Sequence, residues 1–317
     1  MKKFSFLEII NTSSKKFEDP SVVTIGTFDG VHIGHQKIIE KLVDSAKSNH
    51  LKSIALTFFP HPRMVLQKDA KIQLINTINE RAQLMEGLGL DYLYIKKFDL
   101  DFSRLTAEEF VSQVLVAELH AKKVIIGYDH HFGRNRNANI EDLKVFGEEF
   151  GFEVEEISAQ DIDEVAVSST KIRNALKEGD VQTANTYLGY EFMLTGEVVK
   201  GKGLGKGLQY PTANIQIPEA YKLIPKIGSY VVKSTIEGQT YFGMMNIGLN
   251  PTVKDDEKES IEVHFFELNQ DLYNKSLTIH FLTRIRDEEK FDGLDDLVQQ
   301  LDKDKAFSLD FIKTYDQ

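Results

Sequence analysis

The sequence predicts an α/β N-terminal domain with a parallel sheet, followed by a small antiparallel β-barrel with a terminal helix. Three observations predict it. The chain has 317 residues, long enough that two domains are the natural expectation. Its first half alternates apolar, β-branched-rich runs with segments of helical period. Its second half is a series of short strand-like runs that turns helical only near the end.

The first-half strands fall at Val22–Ile25, Ile54–Phe59, Tyr92–Ile95, Val124–Ile126 and Phe152–Ile157. Between the first two, Ile38, Ile39, Leu42, Val43 and Ala46 recur at helical spacing. Thr106-Ala-Glu-Glu109 has the form of a capping box, and Gly89 and Gly151 stand where helices should end. Five strands with intervening helices predict an open parallel sheet covered on both faces. Ligands in such sheets bind at the carboxyl ends of the strands. In the second half the strands are Phe192–Lys200, Ser229–Ile236, Tyr241–Ile247, Ile261–Phe266 and Leu277–Leu282, with turns at Gly238 and Asn274 and a helix over Leu294–Phe311. This spacing predicts a closed barrel. A helical stretch from about Lys171 precedes the change in pattern, which places the domains at 1–186 and 187–317.

Composition narrows the function. With 41% hydrophobic and 27% charged residues the chain reads as globular. A formal charge of −11 disfavours nucleic acid as a partner while leaving room for a small anion held by a local pocket. No cysteine is present, which removes disulfides and thiolate metal sites and fits a reducing cytoplasm. No apolar run is long enough for a bilayer, and the first residues do not read as a signal peptide. A homo-oligomer is neither required nor excluded.

Four segments carry chemistry. Gly26-Thr-Phe28-Asp29-Gly30-Val-His32-Ile-Gly34-His35 follows the first strand and opens a helix. Glycines there admit a close ligand, the helix start offers free N–H groups, and two histidines can bind phosphate oxygens. Ordinary helix-start histidines, metal ligands and a dinucleotide fingerprint are the competing readings; the last fails because Gly-x-Gly-x-x-Gly is missing. Ser168-Ser169-Thr170-Lys-Ile-Arg173 offers a second anion site at a helix start, or else a plain N-capped amphipathic helix. Gly201-Lys-Gly203-Leu-Gly205-Lys206-Gly207 can cradle phosphates or be a solvated loop. Behind it, Thr212 and Asn214 of Pro-Thr-Ala-Asn share a strand face and can hold Mg²⁺ with a phosphate. Glu262 lies on the face of its strand opposite Ile261, Val263 and Phe265. That position suits a solvent-facing residue as well as a general base.

With these segments quoted, the chain resembles a known family. His-x-Gly-His with a late Ser-Ser-Thr-x-x-Arg resembles the nucleotidylyltransferase superfamily, whose domains are Rossmann-like. Thr57-Phe-Phe-Pro60-His61-Pro62 and Gly127-Tyr-Asp129-His-His-Phe132-Gly133-Arg134-Asn135 extend the resemblance to bacterial bifunctional riboflavin kinase/FMN adenylyltransferases. Asn246-Ile-Gly248, Ile261-Glu-Val-His264 and Arg286-Asp-Glu288-x-x-Phe291 are similar to the kinase half of that family.

The resemblance implies phosphorylation of riboflavin by ATP in the second domain, adenylylation of FMN to FAD in the first, and Mg²⁺ in both. It implies ATP contacts at Gly26, Phe28, Asp29, Gly34, Ser169, Thr170 and Arg173, with His32 and His35 at the phosphates. It implies flavin contacts at Pro60, His61, Pro62, Asp129, Phe132 and Asn135. In the kinase half it implies Gly201, Gly203, Lys206, Thr212 and Asn214 at Mg-ATP, Glu262 as base, and Arg286, Glu288 and Phe291 near flavin. The chain departs from the family pattern at His130, His131, Ala138-Asn139 and Gln209. Two rivals are an adenylyltransferase for a different phosphate and a flavin sensor without catalysis.

Overall fold

The computed structural model describes residues 7–10, 17–67, 72–127, 130–157, 167–201, 210–250 and 258–315. Its contacts divide the chain into two compact units, Met1–Ser168 and Ser169–Gln317.

The first unit is a six-stranded parallel sheet in the order β1-β4-β3-β2-β5-β6. The strands are β1 (Glu8–Ile10), β2 (Ser21–Ile25), β3 (Lys52–Phe59), β4 (Tyr92–Lys97), β5 (Ala121–Gly127) and β6 (Glu153–Ile157). All five residues of β2 are buried, as a central strand covered on both faces requires. Its side chains alternate between two cores. Val22 packs on one face with Ile39, Leu42 and Val43; Val23 and Ile25 pack on the other with Val111, Val114 and Leu115. Helix α1 (Ile33–Ser48) belongs to the first face. Helix α4 (Ala107–Phe110), which continues as a π-helix over Val111–Glu118, belongs to the second. The remaining helices of this unit are α2 (Pro62–Leu66), α3 (Ile78–Gly87) and α5 (Ile140–Phe150). The capping box at Thr106 is formed, and Gly151 ends α5 in the left-handed conformation.

The expected five strands are present and β1 is a sixth, an edge strand pairing Glu8 with Tyr92. Three residues are too few for a legible period. The strand order reverses at β2, with β3 on one side and β5 on the other. Ligand crevices form at such a switch point, and the Gly26–His35 turn lies at its mouth.

The second unit is a closed barrel, β10-β11-β8-β7-β12-β9, antiparallel throughout. Its strands are β7 (Met193–Val199), β8 (Ala213–Gln216), β9 (Gly228–Ile236), β10 (Gln239–Asn250), β11 (Lys258–Phe265) and β12 (Ser276–Arg286). Glu237 and Gly238 both have positive φ, 52° and 84°, the signature of a type I′ hairpin between β9 and β10. The terminal helix α8 spans Leu294–Tyr315.

Helices α6 (Ser169–Glu178) and α7 (Val181–Leu188) are grouped with the barrel. The Lys226 amide donates to Leu176 O (2.9 Å). Asn185 is a two-way tie: its Nδ2 donates to Phe281 O (2.8 Å) and its Oδ1 accepts from the Phe192 amide (2.7 Å). A fragment starting at Tyr187, the boundary drawn from sequence, leaves out these ties and the buried Ile172, Leu176, Val181 and Ala184. Burying one such aliphatic side chain stabilises by roughly 1.5–3 kcal/mol. The fragment Ser169–Gln317 is therefore expected to melt clearly above Tyr187–Gln317 in thermal unfolding. Equal melting temperatures would show that the two helices do not support the barrel.

Candidate active sites

In the first unit the chain leaves β2 through a strained turn. Phe28 and Val31 have φ of 46° and 35°, and Gly30 has 90°. Left-handed backbone at a bulky aromatic and a β-branched residue costs of order 1–3 kcal/mol each and persists only where the surroundings enforce it. The enforcement is visible. Asp29, 1% exposed, accepts the Ile75 and Asn76 amides on Oδ1 (2.9 and 3.3 Å). Gln36 Nε2 donates to Val31 O (2.8 Å). Gly26 lets the Phe28 ring fold back over it, since a Cβ there would lie 2.9 Å from Phe28 Cζ.

The turn delivers His32 as the N-cap of α1 and His35 in its first turn, with Gly34 buried between them. The His32 side chain makes no capping hydrogen bond, which leaves the first N–H groups of the helix open to an anion among the described residues. The two imidazoles stack at 3.7 Å between centroids, and Phe28 meets His35 edge-on at 5.3 Å. Among the described residues, Nδ1 of each is buried without a hydrogen-bond partner. Burial lowers His32 from 6.5 to about 4, against the opposing pull of Asp29. His35 lies well below 6.5 because of burial, then the charges of His32 and Arg81. Both are neutral near pH 7, so their N–H groups can donate without a charge having to be buried first.

The same shift has a consequence for stability. The unfolded chain takes up a proton on His32 below about pH 6.5, whereas the folded unit resists until about pH 4. Stability present above pH 6.5 is therefore lost as pH falls through that window, by up to about 3 kcal/mol from His32. His32→Gln is expected to flatten the loss of melting temperature between pH 7 and 4.5. An unchanged pH dependence would show that His32 does not resist protonation in the fold.

Pro60, His61 and Pro62 follow β3. The His61 Nδ1 accepts the Arg63 amide (3.2 Å) and caps α2. Pro60, Val65, Phe98 and Leu100 form the apolar wall of an open groove of about 530 Å³ that also takes in Lys97 and Arg104. Phe132 is buried and paired with Ala138, and Asn135 sits exposed between them at φ 59°. Asp129 lies outside the described residues. Ser169, Thr170 and Arg173 open α6, which is grouped with the second unit.

In the second unit the register assembles a polar row across five strands. Asn214 pairs with Glu262, Glu262 with Asn246, Asn246 with Ser229, and Ser229 with Arg286. Residues directly opposite share a face of the sheet. Thr212 Oγ1 donates to Glu262 Oε2 (3.1 Å), and Ser260 Oγ donates to Oε1 (3.1 Å). Ser229 Oγ donates to Asn246 Oδ1 (3.3 Å). Gly201 abuts the Asn214 amide so closely that a Cβ would overlap it. Gly203 and Lys206 lie outside the described residues. His264, two residues beyond Glu262 on the same strand face, has its Nδ1 on Pro211 O (2.9 Å) and its ring edge-on to Tyr210 at 5.1 Å.

Arg286 is tied to the terminal helix. Its guanidinium grips Asp304 of α8 through Nε and Nη2 (3.0 and 2.8 Å), and Gln300 supports the same carboxylate (2.8 Å). Phe291 lies 5.8 Å from that guanidinium. Glu288 is exposed and lies against Gly248, where a Cβ would collide with its carboxylate. Sequence reasoning passed over Ser229 and Ser260 as members of the row. Ser260 was readable, standing two residues before Glu262 on the same strand face; Ser229 was not, because the register across β10 places it there.

Two family models match the chain, one in each half. The family model described as FAD synthetase matches residues 14–171, and that for riboflavin kinase matches 188–312. A bifunctional riboflavin kinase/FMN adenylyltransferase from Listeria monocytogenes is 38% identical, with 90% of each chain covered. The chain belongs to this family. The Bacillus subtilis member is 35% identical over 92% of each chain, and the Escherichia coli member 31% over 95% of this chain and 96% of its own. A solved structure described as a macrolide-efflux protein from Streptococcus pneumoniae superimposes with a TM-score of 0.86 at 33% identity, covering 96% of this chain and 98% of that one. Among the described residues no helix is long and apolar enough to cross a membrane.

Proposed function

We infer that this chain makes FAD in two ATP-dependent steps. Riboflavin and ATP give FMN and ADP at the barrel; FMN and ATP give FAD and pyrophosphate at the parallel-sheet unit. The observation that carries the reading is the cluster of Thr212, Asn214 and Glu262. Oxygen donors of three kinds meet there on adjoining chain segments, on the strand row that continues to Asn246 and Ser229.

In the kinase step Glu262 accepts the proton of the riboflavin hydroxyl as that oxygen bonds to the γ-phosphorus and the bond to ADP breaks. Both carboxylate oxygens already accept a hydroxyl, and each keeps a second lone pair for substrate. Those hydroxyls hold the carboxylate in a fixed orientation, which is what a general base requires. The hydroxyl and amide oxygens of Thr212 and Asn214 are hard donors of the kind Mg²⁺ takes alongside substrate phosphates. Mg²⁺ bound there would neutralise charge on the phosphates.

In the adenylyl step an oxygen of the FMN phosphate attacks the α-phosphorus and pyrophosphate leaves. No covalent enzyme intermediate is needed, because positioning and charge stabilisation suffice. His32, His35 and the open start of α1 supply the donors. Ser169, Thr170 and Arg173 at the start of α6 are proposed as ATP contacts. The groove beside Pro60 offers an apolar wall for the flavin ring. We propose functional domains at 1–186 and 187–317 and a cytoplasmic location, which a sequence without cysteine suits.

Chromatography of a reaction containing riboflavin, ATP and Mg²⁺ tests the reading. FMN should appear first and FAD after it, and chelation should stop both. Unreacted flavin would favour a sensor. FMN without FAD would favour an adenylyltransferase half that acts on a different phosphate.

A further inference from the structure

Behind the Gly26–His35 turn lie two buried side chains, Arg81 and Thr57, to which the reaction described above gives no part in binding or chemistry, and both reach back to the turn that holds Asp29. Arg81 of α3 and Asp29 are each 1% exposed, and Thr57 of β3 is fully buried. Arg81 Nη1 donates to Thr57 Oγ1 (3.2 Å), and that hydroxyl donates to the Thr27 carbonyl (3.2 Å). Arg81 Nη2 lies 3.9 Å from Asp29 Oδ1. Both routes from one guanidinium therefore end on the same turn, on either side of strained Phe28.

A buried guanidinium is expensive to desolvate, and an apolar residue would hold α3 to the sheet as well or better. A purely structural role does not explain why its contacts converge on Thr27 and Asp29. Its charge also acts on the histidine pair, since Arg81 opposes protonation of His35 while Asp29 favours that of His32.

We propose that Arg81 is a positioning residue for adenylyl transfer, which holds the strained turn through Thr57 and Asp29 and sets a fixed positive charge behind the two histidines. The role rests on the reading of this turn as the adenylyl-transfer site. It adds two functions to a residue outside every motif. One is geometric, the seating of both imidazoles and the start of α1. The other is electrostatic, a standing cost against protonating His35 and a standing attraction for an anionic substrate.

Three variants of the full chain separate these functions. Thr57→Val keeps every charge and removes the link to Thr27. It should lower kcat for FAD formation from FMN by about ten- to a hundredfold, as small misplacements do, with KM for FMN changed less than about twofold. Arg81→Lys keeps the charge but not the two-way reach, and should show the same kcat loss with the acid limb of the pH–rate profile unmoved. Arg81→Gln removes the charge, so His35 takes up a proton more readily. Its acid limb should move to higher pH.

Circular dichroism establishes that each variant is folded. Should Arg81→Gln fail to fold, the two charge-conserving variants decide. Wild-type kcat in both Thr57→Val and Arg81→Lys would overturn the proposal, as would a folded Arg81→Gln with an unmoved acid limb. If His35→Ala also left FAD formation intact, the reading of the turn itself would fall. If His35→Ala abolished it while the Arg81 and Thr57 variants behaved as wild type, only the role of Arg81 would fall.

Discussion

Glu262→Gln is expected to lower riboflavin phosphorylation by roughly 10²–10⁴ while leaving FAD formation from FMN at the wild-type rate. The amide is nearly isosteric, and its carbonyl can still accept from Thr212 or Ser260, so the strand row survives. What it cannot do is take the proton of the substrate hydroxyl. A surface glutamate on a strand would behave differently, since such substitutions usually change stability by less than about half a kcal/mol and leave both reactions intact. Assays of one protein from riboflavin and from FMN distinguish the cases. Loss in the first alone marks the base, equal loss in both marks misfolding, and no loss in either removes Glu262 from the mechanism.

His35→Ala is expected to reverse the pattern: FAD formation falls by about two or more powers of ten, as for loss of a preorganised donor, while FMN continues to form and accumulates. The side chain is stacked on His32 and met edge-on by Phe28, so its removal takes away a donor held in place before substrate arrives. His35→Gln, which keeps an N–H donor but not the ring, should recover part of the loss. Unchanged FAD synthesis in a His32→Ala/His35→Ala double variant would detach this turn from adenylyl transfer.

Much of this architecture was legible because its signals are local. β2 and β3 declare themselves as unbroken apolar runs, α1 by its period and α4 by its capping box. The two-domain reading needed only the change of period in the second half. The elements that escaped depend on partners far away in sequence. β1 is three residues long and exists because β4 offers it an edge. β8 was read as a motif, and only its pairing with β7 and β11 makes it a barrel strand. Helices α6 and α7 gave no sign of their attachment to the barrel, which runs through Asn185 and Phe281.

The sites follow the same logic. His32, His35, Thr212 and Asn214 stand in short strings whose residue types and spacing carry the chemistry. Glu262 was ambiguous by period alone, and the hydroxyls of Thr212 and Ser260 on its carboxylate are what tie it to the Pro-Thr-Ala-Asn segment. Arg286 is held by Asp304 of α8, a partner 18 residues along the chain that its own segment does not announce. Arg81 left no local trace, since its partners lie on β3 and in the turn after β2.

The central claim is that one chain transfers the γ-phosphoryl group of ATP to riboflavin and then the adenylyl group of a second ATP to the product. Isotopic labelling of ATP tests it most directly. With riboflavin as the only flavin supplied, label at the γ-phosphorus should enter FMN and remain in FAD. Label at the α-phosphorus should appear in FAD and never in FMN. Label from the α position in FMN, or FAD formed without γ-label in its flavin phosphate, would contradict the two-step account.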